Sequence, residues 1–173
     1  MELSDLFEMG RLNGSQSLSI GELPQSGYRT IMIAPAWFDR PVLETCTSVR
    51  TNALWRPAEN CHLWLWTPSA YLKEAMKLME VLGFKYITST VWVKGPAKKP
   101  ELLLVGRRGR PFVGHHLGNR LSTTLYAENS PRIPDVFYEH IETVSDGPYL
   151  EIFSQSNRNG WHSSNSQVVE VSV

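Results

Sequence analysis

What most constrains this chain is its alternation of short apolar runs, rich in β-branched and aromatic residues, with helix-length amphipathic segments, punctuated by Gly and Pro. Tyr28 to Ile33 (YRTIMI) is too short to be a self-burying helix. Its composition, with APAW directly behind it, reads as a buried strand ending in a loop. Residues 61–66 (CHLWLW) read the same way. Between Tyr71 and Leu82, the residues Leu72, Ala75, Met76, Met79 and Leu82 recur at helical spacing, with Ser69 placed to cap the start and Gly83 to stop the end. Residues 85–94 (KYITSTVWVK) and 101–108 (ELLLVGRR) are strand-like on either side of GPAKKP. Residues 120–127 fit a further strand. Pro134 to Val144 fits a helix opening on Pro-Asp, and 149–153 (YLEIF) fits a strand after the turn signal Asp146-Gly147-Pro148.

Such an order implies an α/β fold: a mostly parallel sheet with helices on both faces and ligands at the carboxyl ends of the strands. The loops after Ile33, Trp66 and Phe153 are therefore the ones expected to carry function. With 173 residues and 42% hydrophobic content, the chain supports one core. The expected domain runs over 28–173, after a Gly-, Ser- and Gln-rich lead-in at 1–27 where only Leu18-Ser19-Ile20 hints at a strand. Lys plus Arg equals Asp plus Glu, 17 against 17, so attraction to a polyanion must come from a local patch. Cys46 and Cys61 match no zinc spacing and read as reduced thiols. The acidic MELSDLFEMG start and the lack of eighteen consecutive apolar residues predict a soluble, intracellular and cytoplasmic protein with no membrane partner.

Four segments, in order, resemble the family named for the large subunit of mRNA adenosine methyltransferase, which includes bacterial and phage DNA adenine methyltransferases. YRTIMIAPAWFD is similar to that family's catalytic segment, where a strand ends in Asp-Pro-Pro-Trp. HLWLWTPSAYLKEAMKLMEVLGFKYITSTVWVK is similar to its central strand, helix and strand block, and this match is the most specific of the four. SPRIPDVFYEHIETVS resembles its Arg-Lys-Pro-Asp helix, and YLEIFSQSNRNGWHSSNSQV its closing strand. The resemblance spans residues 28–168 and implies a Rossmann-like fold that uses S-adenosylmethionine as methyl donor, without metal, on adenine N6 of DNA or, less readily, RNA.

Adenine's exocyclic amine is a poor nucleophile because its lone pair is delocalised into the ring. An enzyme must therefore accept the amine's hydrogens on a carboxylate and a backbone carbonyl while an aromatic ring stacks on the extruded base. The resemblance implies that Ala34, Pro35, Ala36 and Trp37 form this catalytic loop, with Pro35 offering the carbonyl and Trp37 the ring. Ala34 stands where Asp is expected and Ala36 where the second Pro is expected. A methyl group accepts no hydrogen bond, and losing one such contact costs about 10²- to 10³-fold in rate. Three explanations remain: an engineered substitution, a natural non-catalytic member, or a nearby acid such as Asp39 taking over.

For the donor, the resemblance implies Arg132, Glu151, Gln155, Asn157, Arg158, Ser166 and Gln167. Of these, Gln155 replaces the usual Arg, Ser166 the usual Asn, and Ile133 the Lys beside Arg132. Glu151 is either a ribose-binding carboxylate or a solvated strand-end charge. Lys94, Lys98, Lys99, Arg107, Arg108 and Arg110 form the one marked basic concentration, placed to neutralise nucleic-acid phosphates or simply exposed. His115 and His116 make poor metal ligands, being adjacent without an acidic companion. Trp64, Trp66 and Trp92 are expected in the core. The expected partners are DNA or RNA, a second copy, or a methyltransferase-like subunit. The rival to an enzyme is a non-catalytic scaffold that binds nucleic acid or an active partner, and a third option is another transfer reaction on the same fold.

Overall fold

The computed structural model describes residues 23–37, 41–111, 123–154 and 157–164. The lead-in before residue 23, with Leu18–Ile20, lies outside them, as do Asp39, His115, His116, Gln155, Ser166 and Gln167. Seven strands form one sheet: β1 (Tyr28–Ile33), β2 (Pro57–Pro68), β3 (Lys85–Val93), β4 (Glu101–Arg108), β5 (Thr124–Tyr126), β6 (Tyr149–Ile152) and β7 (Trp161–Ser164). Their spatial order is β5-β3-β4-β2-β1-β6-β7. Among the described residues three α-helices accompany them: α1 (Val42–Arg50), α2 (Leu72–Val81) and α3 (Asp135–Val144). Only β4 opposes the others, pairing antiparallel with both β2 and β3, so the sheet is α/β and mostly parallel as expected.

Side chains along each strand alternate between two cores, as the strand period requires. Ile31 and Ile33 of β1, Leu63 and Leu65 of β2, and Leu150 and Ile152 of β6 meet Cys46 and Val49 of α1 and Ala75, Leu78 and Met79 of α2. On the other face Met32, Trp64, Trp66, Trp92, Leu103 and Val105 meet Phe137, Tyr138, Ile141 and Val144 of α3. The first face is mostly aliphatic under two helices. The second is largely aromatic and, among the described residues, lies under α3. Placement of the helices follows from the handedness of parallel crossovers. The connections through α1 and α2 step from β1 toward β3, whereas the connection through α3 returns toward β6, so a constant hand puts α3 on the opposite face.

Several boundaries differ from the sequence reading. Ser69 does not cap α2. It opens a 3₁₀ turn over Ser69–Tyr71, and α2 starts at Leu72 with no side-chain cap. β2 starts at Pro57, earlier than expected, because its first residues lie beside Gly27 and Tyr28 rather than in the apolar run. Gly27, at φ 81°, carries the chain so close that a Cβ there would stand 2.6 Å from the carbonyl oxygen of Arg56. The described part of the strand expected at 120–127 is the three-residue β5. β6 ends at Ile152 because Phe153 turns left-handed, at φ 65°. Helix α1 and strand β7 are additions to the sequence reading.

Candidate functional site

The chain runs from β1 outward through β2 to β3, β4 and β5, then returns to β6 on the other side of β1. The crevice at the carboxyl ends of β1 and β6 is thus the topological switch point, where open α/β sheets place ligands. An open cavity of about 170 Å³ lies there. Ala34 and Pro35 at the end of β1, Glu151 and Phe153 at the end of β6, Arg132 before α3 and Lys94 after β3 all line it. Five residues named from sequence for three different duties, Ala34, Pro35, Arg132, Glu151 and Lys94, therefore share one wall.

Glu151 forms the buried end of the cavity, 2% exposed. A solvated strand-end charge is excluded. The Tyr138 hydroxyl donates to it, with both carboxylate oxygens 3.1 Å away, and Ser154 adds a second side-chain bond. Burial pushes the Glu151 carboxyl above its ordinary range, partly opposed by these two donors and the Arg158 charge. Burial and the facing carboxylate together push the Tyr138 phenol up, so it stays a donor. Two carboxylate oxygens offer about four acceptor positions, so capacity remains for a ligand hydroxyl. The left-handed Phe153 next in the chain stores roughly 1–3 kcal/mol of backbone strain, a feature that clusters at binding sites.

A second charged group stands across the cavity. Lys94 pairs with Glu101, whose other oxygen accepts the Trp66 indole N–H at 2.7 Å. The Lys94 ammonium also lies 4.1 Å from the centre of the Trp92 ring. Glu101 is thus already engaged by a cation and a donor. Trp66 and Trp92 are core aromatics, as expected, and also line the cavity, which the sequence reading did not assign to them. Two further lining carboxylate and phenol groups, Glu101 and Tyr138, were missed. Only their placement on β4 and α3 beside the switch point reveals them.

Trp37 does not take the role expected of it. It is 7% exposed, its indole donates to the carbonyl of Trp66 at 2.8 Å, and its ring stacks on Tyr71. The β1–β2 pairing ends at Ile33 and Leu65, and the indole satisfies the carbonyl one residue beyond it. Trp37 is a core ring on the α1–α2 face, not a free stacking platform. Ala36 does not line the cavity either.

Arg158 does not line the cavity. Its guanidinium binds Glu142 (3.1 Å) and Asp135 (3.0 Å) on α3 and lies over the Tyr138 ring, so it fastens the β6–β7 loop to α3. Asn157 is exposed beside it. The basic run divides. Lys94, Lys98 and Lys99 precede β4, at the cavity end of the sheet, whereas Arg107 and Arg108 close β4 at its far end and Arg110 follows them. Because β4 is antiparallel, its eight residues carry the chain roughly 25 Å to the amino edge, and the six cations cannot form one surface. Both cysteines are free and buried, and burial pushes the Cys61 thiol up to about 12, leaving it inert. Among the described residues, no group of three or more His, Cys, Asp or Glu could hold a metal, and no helix is long and apolar enough to cross a membrane.

In comparison with known proteins, no family model matches the chain and no curated protein matches it.

Proposed function

We propose that this chain is a Rossmann-like S-adenosylmethionine-binding domain of the adenine-N6 methyltransferase type, acting on DNA and less readily on RNA, with methyl transfer weakened by Ala34. The observation that carries the reading is the meeting of Ala34 and Pro35 with buried Glu151 in one cavity at the β1/β6 switch point. Glu151 is the residue to hold ribose hydroxyls, and Arg132, exposed on the rim, to hold the methionine carboxylate. The donor would supply an electrophilic methyl group. The chain's own contribution at the acceptor is the Pro35 carbonyl, while position 34 offers nothing to a second amine hydrogen.

A second reading, a non-catalytic scaffold on the same fold, is favoured by three observations. The Ala34 side chain has no acceptor, Trp37 is unavailable for stacking, and the described residues enclose about 170 Å³, below the roughly 300–1,000 Å³ of pockets that bury drug-sized ligands. Calorimetric titration with S-adenosylmethionine tests the cofactor half first. A dissociation constant in the micromolar range is expected. The variant Ala34→Asp, assayed by transfer of labelled methyl groups to adenine-containing DNA, then tests the chemistry. A gain of about 10²- to 10³-fold supports a methyltransferase lacking its acid. No donor binding and no gain would leave the scaffold.

A further inference from the structure

At the amino edge of the sheet, opposite the switch point, a second cavity of about 200 Å³ is lined by Arg29, Asn60, His62, Arg110, Pro111 and Asp146. Its wall is made largely of donors. His62 is 2% exposed, and its Nδ1 lies 2.9 Å from the Ser145 hydroxyl, which also accepts the Trp64 indole N–H at 3.1 Å. An indole only donates, so Ser145 accepts that proton, and among the described residues His62 Nδ1 is the one acceptor within reach of the hydroxyl's own proton. By this network the imidazole proton is assigned to Nε2, which has no hydrogen-bond partner among the described residues. Burial holds the ring down to about 4, so at neutral pH it is an uncharged N–H donor on the cavity wall.

The rest of the wall is held in place by backbone contacts. Asn60 Oδ1 accepts the backbone N–H of Arg110 at 2.8 Å, which leaves the amide protons of Asn60 free to donate. Gly109, at φ 64°, makes this possible, since a Cβ there would stand 2.4 Å from Asn60 Oδ1 and 2.5 Å from the Glu59 carbonyl. Arg107 braces the same turn by donating to the Gly109 carbonyl at 3.2 Å, and its charge acts on His62. Among the described residues Asp146 is the one carboxylate on the wall. It pairs with Arg29 at 4.0 Å, with both side chains half-exposed, so Arg29 keeps most of its capacity to bind an anion.

Two guanidinium groups, an amide and a neutral imidazole N–H, with a third guanidinium behind them, suit a ligand that presents several acceptor oxygens and negative charge at once. The volume is below that of pockets for whole nucleotides or drug-sized ligands. We propose that this cavity is a phosphate site, taking one phosphate group from inorganic phosphate or from the end of a phosphate monoester, independently of the cavity at Ala34.

The test uses the full chain at constant ionic strength, titrated with inorganic phosphate and followed by calorimetry and by the NMR signals of the His62 ring. Saturable binding with a dissociation constant below about 1 mM, with His62 shifting on binding, is expected. Asn60→Asp keeps the acceptor for the Arg110 N–H but replaces the amide donor with a negative charge, and Arg110→Gln removes only an exposed charge. Each should weaken binding about tenfold or more. Oligonucleotides with a 5′-phosphate or a 5′-hydroxyl then separate the sources. Tighter binding of the phosphorylated strand assigns the phosphate to a nucleic-acid end, and binding of inorganic phosphate alone assigns it to a small anion. No saturable response up to about 10 mM, or affinity untouched by both substitutions, would overturn the assignment.

Discussion

Acidification should destabilise this protein through His62, by an amount that can be worked out. In an unfolded chain the imidazole takes a proton near pH 6.5, whereas in the folded protein burial holds it down to about 4. Folding therefore favours the neutral ring, and the unfolded state binds the extra proton. The contribution is fully present above pH 6.5 and is lost as pH falls from 6.5 to 4. One proton over that window is worth about 3 kcal/mol, of which about 2 kcal/mol has gone by pH 5. His140 acts in the same direction, its ring also lowered by burial, while the raised carboxyl of Glu151 acts in the opposite one. The difference between the parent and His62→Asn isolates the first group. Urea unfolding at pH 7.5, 6, 5 and 4.5 should show the parent losing about 2 kcal/mol more than the variant between the first and third of these. The reasoning fails if the His62 ring of the folded protein titrates near 6.5 by NMR, or if parent and variant share one pH slope.

The other expectations are shorter. Tyr138→Phe removes the hydroxyl that Glu151 accepts in a buried site, and should cost about 1–3 kcal/mol in thermal or urea unfolding while raising the Glu151 carboxyl further. Gly27→Ala sets a Cβ against backbone at positive φ and should cost at least about 1 kcal/mol. Gly106→Ala meets only the flexible end of Met79 and should cost less by the same unfolding assay. Leu63→Ala, at a fully buried central position of β2, should cost about 2–5 kcal/mol and lower the melting temperature accordingly.

The elements that were readable from sequence are those whose burial follows apolar periodicity. β1, the LWLW part of β2, α2 and α3 all qualify. Helix α1 does not, because its inward stripe is Thr45, Cys46 and Val49, which carries no apolar period. Nor does β7, where Trp161 alone is buried among half-buried polar neighbours. The reversal of β4 was legible but needed a different argument. Residues 94–100 are too few for a crossover, so β3 and β4 had to be antiparallel, and Arg107 and Arg108 at the end of β4, with Arg110 after it, had to leave the site's end of the sheet. At the site, the loop after β1 was found because a strand end next to an Asp-Pro-Pro-Trp-like segment is a local pattern. The fate of Trp37 was not, since whether an indole faces solvent or caps a strand carbonyl depends on the neighbouring strand. The Lys94–Glu101 pair likewise joins two strands and has no local mark.

The return of the chain to β6 has a consequence for how the protein is made. β1 sits mid-sheet, yet one of its two partners is translated nearly at the other end of the described chain, with Thr30 facing Tyr149. At ordinary ribosomal speeds the two are separated by roughly 10 s. During that interval β1, β2, α1 and α2 can assemble, but one edge of β1, the one whose Thr30 and Ala34 amides will bond the carbonyls of Pro148 and Ile152, is unpaired and attracts any extended strand nearby. Yield from a cell should therefore depend on how that edge is shielded before residue 149 emerges, with slow translation or scarce chaperone favouring inclusion bodies even when the finished fold is stable.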